Sequence, residues 1–366
     1  MRFSIYRTSM VKLCAIATTV MAFGALHLAI ITASSLPAAS QELNDVQYIV
    51  NPRLQIERAR QIRNAVRHAV GKRLAPGPTG GTLNGTVLQP SGLTVTPSAD
   101  TDVAMDPKWN AWVDGSYTNI DDDNAVRGFN SDQSSISVAA DYRLTDRILL
   151  GGLFNFSDSE TQNVSVPGRS TTDNYSGGAY IGAVLTDNLV FDASFLYTWT
   201  DNFAQDSIPV VSARYDSEAW NLNANLTGYW YFDALRVSPN IGVSYSRGRD
   251  DGYVDSAATA FPSVVTRTGT FNFGLTLGYT VALDDTTSAE PYVSIEGEWE
   301  FEESTSPPQT TATVPPDNRN FDARVEAGIE FALASNLSLT LRGDVGGLAR
   351  KRYRTLSGGG QVSIQF

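Results

Sequence analysis

Four glutamates on alternate residues, Glu296, Glu298, Glu300 and Glu302, interleave with Ile295, Gly297, Trp299 and Phe301. A strand turns successive side chains to opposite faces, so this spacing lines carboxylates on one face and largely apolar groups on the other. Asp322, Glu326 and Glu330 share that facing in the next alternating segment, and Asp141 and Asp192 are candidates to join them. Counter-charges stand far off in sequence: Arg53, Arg60, Arg63 and Arg67 recur along one side of a stretch with helical spacing. An acidic wall of this kind has three readings. It can pair with those arginines through charge-assisted contacts, favour cations in an open channel, or simply hydrate an interior. A straight row of strand carboxylates lacks the wrapping geometry of a calcium loop. The acidic runs Asp121-Asp122-Asp123 and Asp250-Asp251 fit plain solvation. No metal ligand and no cofactor is therefore assigned.

Catalysis has little to work with. The two histidines are His27, near the N-terminus, and His68, in the basic stretch, which reads as a solvated helix residue. A general base of the histidine type is thus missing from residues 109–366, and no catalytic residue is assigned. The one cysteine, Cys14, precedes most of an apolar run, where a lipid-attachment cysteine would follow it, so lipidation, disulfides and thiolate metal sites are all discounted.

Residues 1–40 read as a secretory signal: Arg2, Arg7 and Lys12, an apolar stretch from about Leu13 to Ile31, then Ala38-Ala39-Ser40 before Gln41. A retained anchor is the alternative, and Pro37 with the small residues after it favours cleavage. Charge is unevenly placed, at +3 over residues 1–40 and +4 over 41–75, so the net charge of -12 leaves -19 for the remainder. A basic segment precedes a strongly acidic domain, and nucleic acid is not a partner for such a surface.

Residues 41–75 hold the basic amphipathic helix. Asn51 stands at the cap and Pro52 at the first helical position. Ile62, Val66, Ala69, Val70 and Leu74 share one side, opposite the arginines. About 24 residues at about 1.5 Å each give roughly 36 Å, long enough to thread a pore; a solvated helix outside any pore is the other reading. Residues 76–108, rich in Gly, Pro, Thr and Ser, read as an extended linker with a tight turn at Asn84-Gly85.

From Trp109 the period changes to two. In Phe271-Phe273-Leu275-Leu277-Tyr279-Val281 every apolar residue points one way and the intervening residues are small or polar. The same rhythm runs through residues 220–232 and 321–331. Twelve such segments start near Trp109, Ser134, Ile148, Asn174, Leu189, Tyr215, Leu235, Thr268, Glu290, Phe321, Leu337 and Tyr353. Short turns are expected at residues 145–147, 186–188, 233–234, 284–288 and 334–336, and longer polar loops at about 119–131, 157–173, 201–214, 247–267 and 303–320. The fold class is an all-β transmembrane barrel of about 12 antiparallel strands, preceded by a short helix and a linker. A soluble barrel or sandwich would bury one of the two faces without a partner. Trp112, Tyr117, Trp199, Tyr231 and Trp299 fit interfacial girdles. The final segment, with Val362, Ile364 and Phe366 facing lipid, is expected to close the barrel against Trp112 to Tyr117, with Gly358 to Gly360 permitting bending or close approach.

WNAWVDGSYTNI at 109–120, SVAADYRLTDRILLGGLFNFSDS at 137–159, DNYSGGAYIGAV at 173–184 and the terminal QVSIQF carry a resemblance. In order and spacing, residues 109–366 resemble the C-terminal translocator barrel of classical monomeric autotransporters. The resemblance implies a twelve-stranded barrel in the outer membrane of a Gram-negative bacterium, loops outside. It implies insertion by the outer-membrane assembly machinery through Val362, Ile364 and Phe366, and a helix or linker in the lumen. One departure stands out, since such barrels usually follow a large passenger and here residues 41–108 alone lie between signal and barrel. The expected role is a monomeric barrel, partnered by lipid and that machinery, which anchors and translocates its own short N-terminal segment. The alternative is a porin-like or structural barrel whose helix stays in the lumen or periplasm.

Overall fold

The computed structural model describes residues 46–75, 82–83, 86–89, 92–94, 107–123, 128–163, 168–207, 210–284, 287–307 and 320–366. The expected signal and the Asn84-Gly85 turn lie outside them. Within the expected linker, Thr82–Leu83, Thr86–Gln89 and Gly92–Thr94 pair as three short antiparallel strands.

Helix α1 spans Asn51–Leu74. Its start differs from expectation: a π-helical turn over Val46–Val50 leads directly into it, so Asn51 caps nothing. The Asn51 amide instead donates across to Asp250 (3.0 Å) and the Tyr215 hydroxyl (3.3 Å).

The barrel strands are β1 (Trp109–Asp122), β2 (Phe129–Thr145), β3 (Ile148–Asn163) and β4 (Gly168–Thr186). They continue with β5 (Leu189–Ser207), β6 (Val210–Gly228), β7 (Leu235–Asp250) and β8 (Val264–Tyr279). The last four are β9 (Ser288–Ser306), β10 (Phe321–Ala334), β11 (Leu337–Gly346) and β12 (Tyr353–Gln365). Each pairs antiparallel with its sequence neighbours, and β12 pairs with β1. That seam runs from Tyr353↔Asp122 to Gln365↔Asn110, beyond which Trp109 and Phe366 exchange two backbone hydrogen bonds of 3.0 and 2.9 Å. Closure leaves no strand edge, which a sheet in hydrocarbon requires because lipid offers no hydrogen bonds. No helix among the described residues is long and apolar enough to cross a membrane.

The faces are inverted relative to a soluble protein. Phe154, Phe195, Leu222, Phe273, Ile295 and Leu341 are exposed, while the adjacent Asn155, Ser194, Asn223, Asn272, Glu296 and Thr340 are buried. Val362, Ile364 and Phe366 are likewise exposed on the outward face of β12. The strands run longer than the apolar alternation suggests, and β4, β5, β6 and β9 each reach 19 residues. A tilted strand needs about 9 to 11 residues to cross, so the remainder projects past the bilayer. This explains why β2, β4, β6 and β8 begin at Phe129, Gly168, Val210 and Val264, four to six residues before their expected starts. The alternation stops where hydrocarbon stops, but the ladder continues through polar residues such as Ser131 and Gln133. The long loops are correspondingly shorter than expected.

Turns at Asp146-Arg147, Asp187-Asn188, Asp233-Ala234 and Ser335-Asn336 stand where the sequence puts them. Three of these hairpins carry an extra residue beside the turn, Leu144, Leu185 and Leu333, each exposed at the rim. Of the expected girdle residues, Tyr117, Trp199 and Trp299 face outward. Trp112 does not: it is 1% exposed and points inward, its indole donating to the Tyr180 hydroxyl at 2.9 Å. Tyr231 also turns inward, because Trp230 and Phe232 on either side of it face out.

Removing Phe366 takes away both seam-closing hydrogen bonds and an outward aromatic. The truncated chain should lose most of its correctly assembled barrel, whereas Glu326→Gln should assemble normally. Heat-modifiable migration on gels reads the difference, and normal migration of the truncated chain would contradict it.

Candidate functional site

Helix α1 lies in the lumen with its arginines against β9. Arg53 donates to Glu300 (2.8 Å) and Glu303 (3.0 Å), and Arg60 to Glu298 (2.9 Å). Arg63 reaches Glu296 (2.7 Å), Glu298 (3.0 Å) and Asn272 (3.1 Å), and Arg67 reaches Glu296 (3.1 Å). The two elements match in length. Fourteen residues of helix from Arg53 to Arg67 rise about 21 Å, and seven residues of strand from Glu296 to Glu303 span about 23 Å. Because helix and strand run antiparallel, successive arginines meet successive acids.

The row differs from expectation at one position. A β-bulge places Phe301 opposite no partner, since Thr270 pairs with Glu300 and Gly269 with Glu302. The alternation slips by one residue, so Glu303 rather than Glu302 takes the inward place and meets Arg53. Glu302 shares the outward side with Gly269 and accepts from Ser304 (2.6 Å). Asp322, Glu326 and Glu330 do face inward but bind barrel groups instead of the helix. Asp322 accepts from the Gly347 amide (3.1 Å), Glu326 from Tyr292 (2.9 Å), and Glu330 lies 3.8 Å from Arg236.

Charges taken out of water are tolerated only when paired and hydrogen-bonded, and most of this lumen meets that demand in both directions. Arg58 of α1 is an exception, its guanidinium donating to the side-chain oxygen of Asn174 with no carboxylate in reach among the described residues. Glu57, the one acid on α1, is 2% exposed and accepts from Arg60, the Tyr353 hydroxyl (3.1 Å) and Arg324 of β10 (3.4 Å). Arg324 also pairs with Asp344, Arg350 with Glu300, and Arg342 with Asp114 at 2.8 Å. Glu57, Arg324, Arg350 and Arg342 were not singled out from sequence. Arg324 was legible, because it has the same parity as Asp322 and Glu326.

The opposite side of α1 meets an apolar wall that the sequence reading did not anticipate. Ile62, Val66, Ala69, Val70 and Leu74 pack on Trp112, Leu149, Leu153, Tyr180, Val190 and Leu196. Two glycines allow this approach: a Cβ at Gly182 would stand 2.6 Å from Val70, and one at Gly71 would stand 2.5 Å from the Tyr229 hydroxyl. Near the end of the helix, Arg73 lies 3.5 Å from Asp141 and donates to Gln365 (2.8 Å) and the carbonyl of Lys108 (3.1 Å). Asp141 also accepts from Asn110 and Tyr180, both at 2.8 Å, while Asp192 takes Asn225 at 2.7 Å. His68 is partly buried beside the Tyr292 ring, 6.2 Å between centroids, rather than on a solvated helix face.

Beside the helix a cavity of about 150 Å³ remains at the short-turn end, lined by Arg67, His68, Lys72, Tyr229, Tyr292 and Glu330. The arrangement can therefore hold a helix in register and obstruct the lumen.

Residues 111–344 match the family described as the autotransporter beta-domain. Among solved structures the chain is similar to the translocator domain of the autotransporter NalP from Neisseria meningitidis, at 14% identity and a TM-score of 0.61, covering 71% of this chain and 89% of that one. It is similar to the beta domain of the Bordetella autotransporter BrkA, at 15% identity and a TM-score of 0.59, covering 71% and 100%. It is also similar to the transport unit of the autotransporter AIDA-I from Escherichia coli, at 14% identity and a TM-score of 0.55, covering 73% and 94%. At such identities the likeness speaks for the fold. No curated protein matches the chain.

Two outcomes test the ladder. Deleting residues 46–75 should raise single-channel conductance in planar bilayers, and unchanged conductance would show that the helix does not obstruct the pore. Arg63→Ala, which leaves Glu296 and Glu298 short of a buried partner, should destabilise the helix-filled barrel by about 3–5 kcal/mol in urea unfolding from lipid vesicles.

Proposed function

Because the chain belongs to the autotransporter β-domain family, whose barrels serve transport in the Gram-negative outer membrane, we propose that this barrel anchors and translocates its own N-terminal segment, residues 41–75. The observation that carries this reading is the direction of α1. Its N-terminal end sits at the long-loop end, where Asn51 bonds to Asp250 and Arg53 to Glu303. Its C-terminal end sits at the short-turn end, where Arg73 bonds to the carbonyl of Lys108, one residue before β1. A chain running this way enters the barrel from the long-loop mouth and leaves it beside the first strand. With the long loops outside the cell, the N-terminal end of α1 points outward.

In this account the long loops face the exterior, and Val362, Ile364 and Phe366 are presented to the outer-membrane insertion machinery. The function lies in insertion and translocation, with no catalytic centre. The arginine row of α1 on Glu296, Glu298, Glu300 and Glu303 supports a helix that stays in the lumen after passage. The same ladder also favours the second reading, a porin-like or structural barrel whose helix never leaves the lumen side.

An epitope tag inserted after Gln41 separates the two. Detection on intact cells is expected, and detection only after the outer membrane is permeabilised would overturn translocation in favour of the second reading.

A further inference from the structure

The outward face of the barrel changes sign around its circumference. Beyond the apolar belt toward the long-loop end, Asp158 of β3 stands directly opposite Asp173 of β4, Asp173 opposite Asp201 of β5, and Asp201 opposite Asp216 of β6. At β7 and β8 arginines replace acids. Arg247 stands directly opposite Arg267, and the outward alternation that leads to them on β7 is Ile241, Val243 and Tyr245. Like charges directly opposed on neighbouring strands are destabilising, and the surroundings do little to offset this pair. The other cross-strand neighbour of Arg247 is Trp220, and that of Arg267 is Ser304. No carboxylate comes within 4.0 Å of either guanidinium among the described residues. Glu302, diagonal to Arg267, accepts from Ser304, and the nearby Arg249 already has Asp251 at 3.6 Å and Glu218 opposite it.

The depth of this pair is informative. Trp220 and Tyr245 pack at 5.5 Å between ring centroids, and Phe271, Trp299 and Phe301 continue an aromatic band across β8 and β9. Aromatic bands mark the boundary between hydrocarbon and headgroup. Arg247 lies two residues past Tyr245, about 6.6 Å farther along the strand, at the level of lipid headgroups. Directly opposed residues have Cβ atoms about 4.5–5.5 Å apart, so two planar guanidinium forks can close on one phosphate, which they match bidentately.

We propose that Arg247 and Arg267, beside the aromatic shelf of Trp220 and Tyr245, form a binding site for the phosphate of a membrane lipid headgroup on the lipid-facing side of β7 and β8. A bound phosphate turns the repulsion of the pair into a shared contact, and the acidic surface of β3 to β6 directs phosphorylated lipids toward it. The site lies outside the lumen and is separate from the helix.

The test uses the full chain, folded in detergent, with bisphosphorylated lipid A and its dephosphorylated form as probes and native mass spectrometry to count bound lipid. The protein should retain the phosphorylated lipid at least about tenfold over the dephosphorylated one, and Arg247→Gln/Arg267→Gln should abolish the preference. Heat-modifiable migration verifies that the variant is folded. Should the double variant fail to fold, the single variant Arg267→Gln is expected to lose at least about threefold. Equal retention of the two lipids, or an unchanged preference in a folded variant, overturns the proposal. Complete displacement by millimolar inorganic phosphate assigns the site to free phosphate and also overturns it.

Discussion

A guanidinium removed from bulk water is held best by a carboxylate, and one stripe of the helix in this lumen is organised by that demand. Arg53, Arg60, Arg63 and Arg67 lie on one stripe of α1, and Glu296, Glu298, Glu300 and Glu303 lie on the inner face of β9 at a matching pitch. Without the helix Glu300 keeps Arg350 of the barrel, while Glu296, Glu298 and Glu303 lose their ion-pair partners. Removing one partner from a buried pair costs several kcal/mol, so the ladder fixes the register as well as the presence of the helix. A slip by one helical turn would set arginines against the wrong acids and turn the apolar stripe away from its wall.

Closure of the sheet makes the ladder possible. A membrane strand must have a neighbour on both sides, and the β12 to β1 seam completes the ring within which charges are shielded from lipid. Inside it, the two faces of α1 meet two different walls. The acidic side is β9, beside which Arg324 of β10 meets Glu57, while the apolar side draws Trp112 from β1, Leu149 and Leu153 from β3, and Val190 and Leu196 from β5. The arginines set register by charge, and Gly71 and Gly182 let the apolar side come close. The short-turn half is less filled, and there the cavity beside His68 remains.

The barrel was legible because two simple signals coincide: a period of two that inverts the soluble pattern, and turn residues such as Asp146, Asp187 and Asn336 at one end. The starts of β2, β4, β6 and β8 were not, because hydrophobic alternation reports where lipid is rather than where the ladder ends. The displacement of Glu302 by Glu303 comes from a bulge at Phe301. The adjacent pair Glu302-Glu303 was the one hint, since either could face inward. Trp112 was readable by parity alone: Trp109 faces out, and a residue three positions on must face in. The apolar inner wall stayed hidden because leucines such as Leu149 and Leu150 are adjacent, and sequence does not say which of the two faces lipid.

The central claim is that α1 occupies the lumen in one register, charged stripe on β9 and apolar stripe on β3 to β5. Cysteines at Val70 and Gly182, with Cys14 replaced by serine, report it directly, because a Cβ at position 182 would stand 2.6 Å from the Val70 side chain. In barrels assembled in cells, oxidation should join the two cysteines in most molecules, seen as a migration shift that reductant reverses. A heat-modifiable, correctly assembled barrel in which the two thiols remain free would contradict the account.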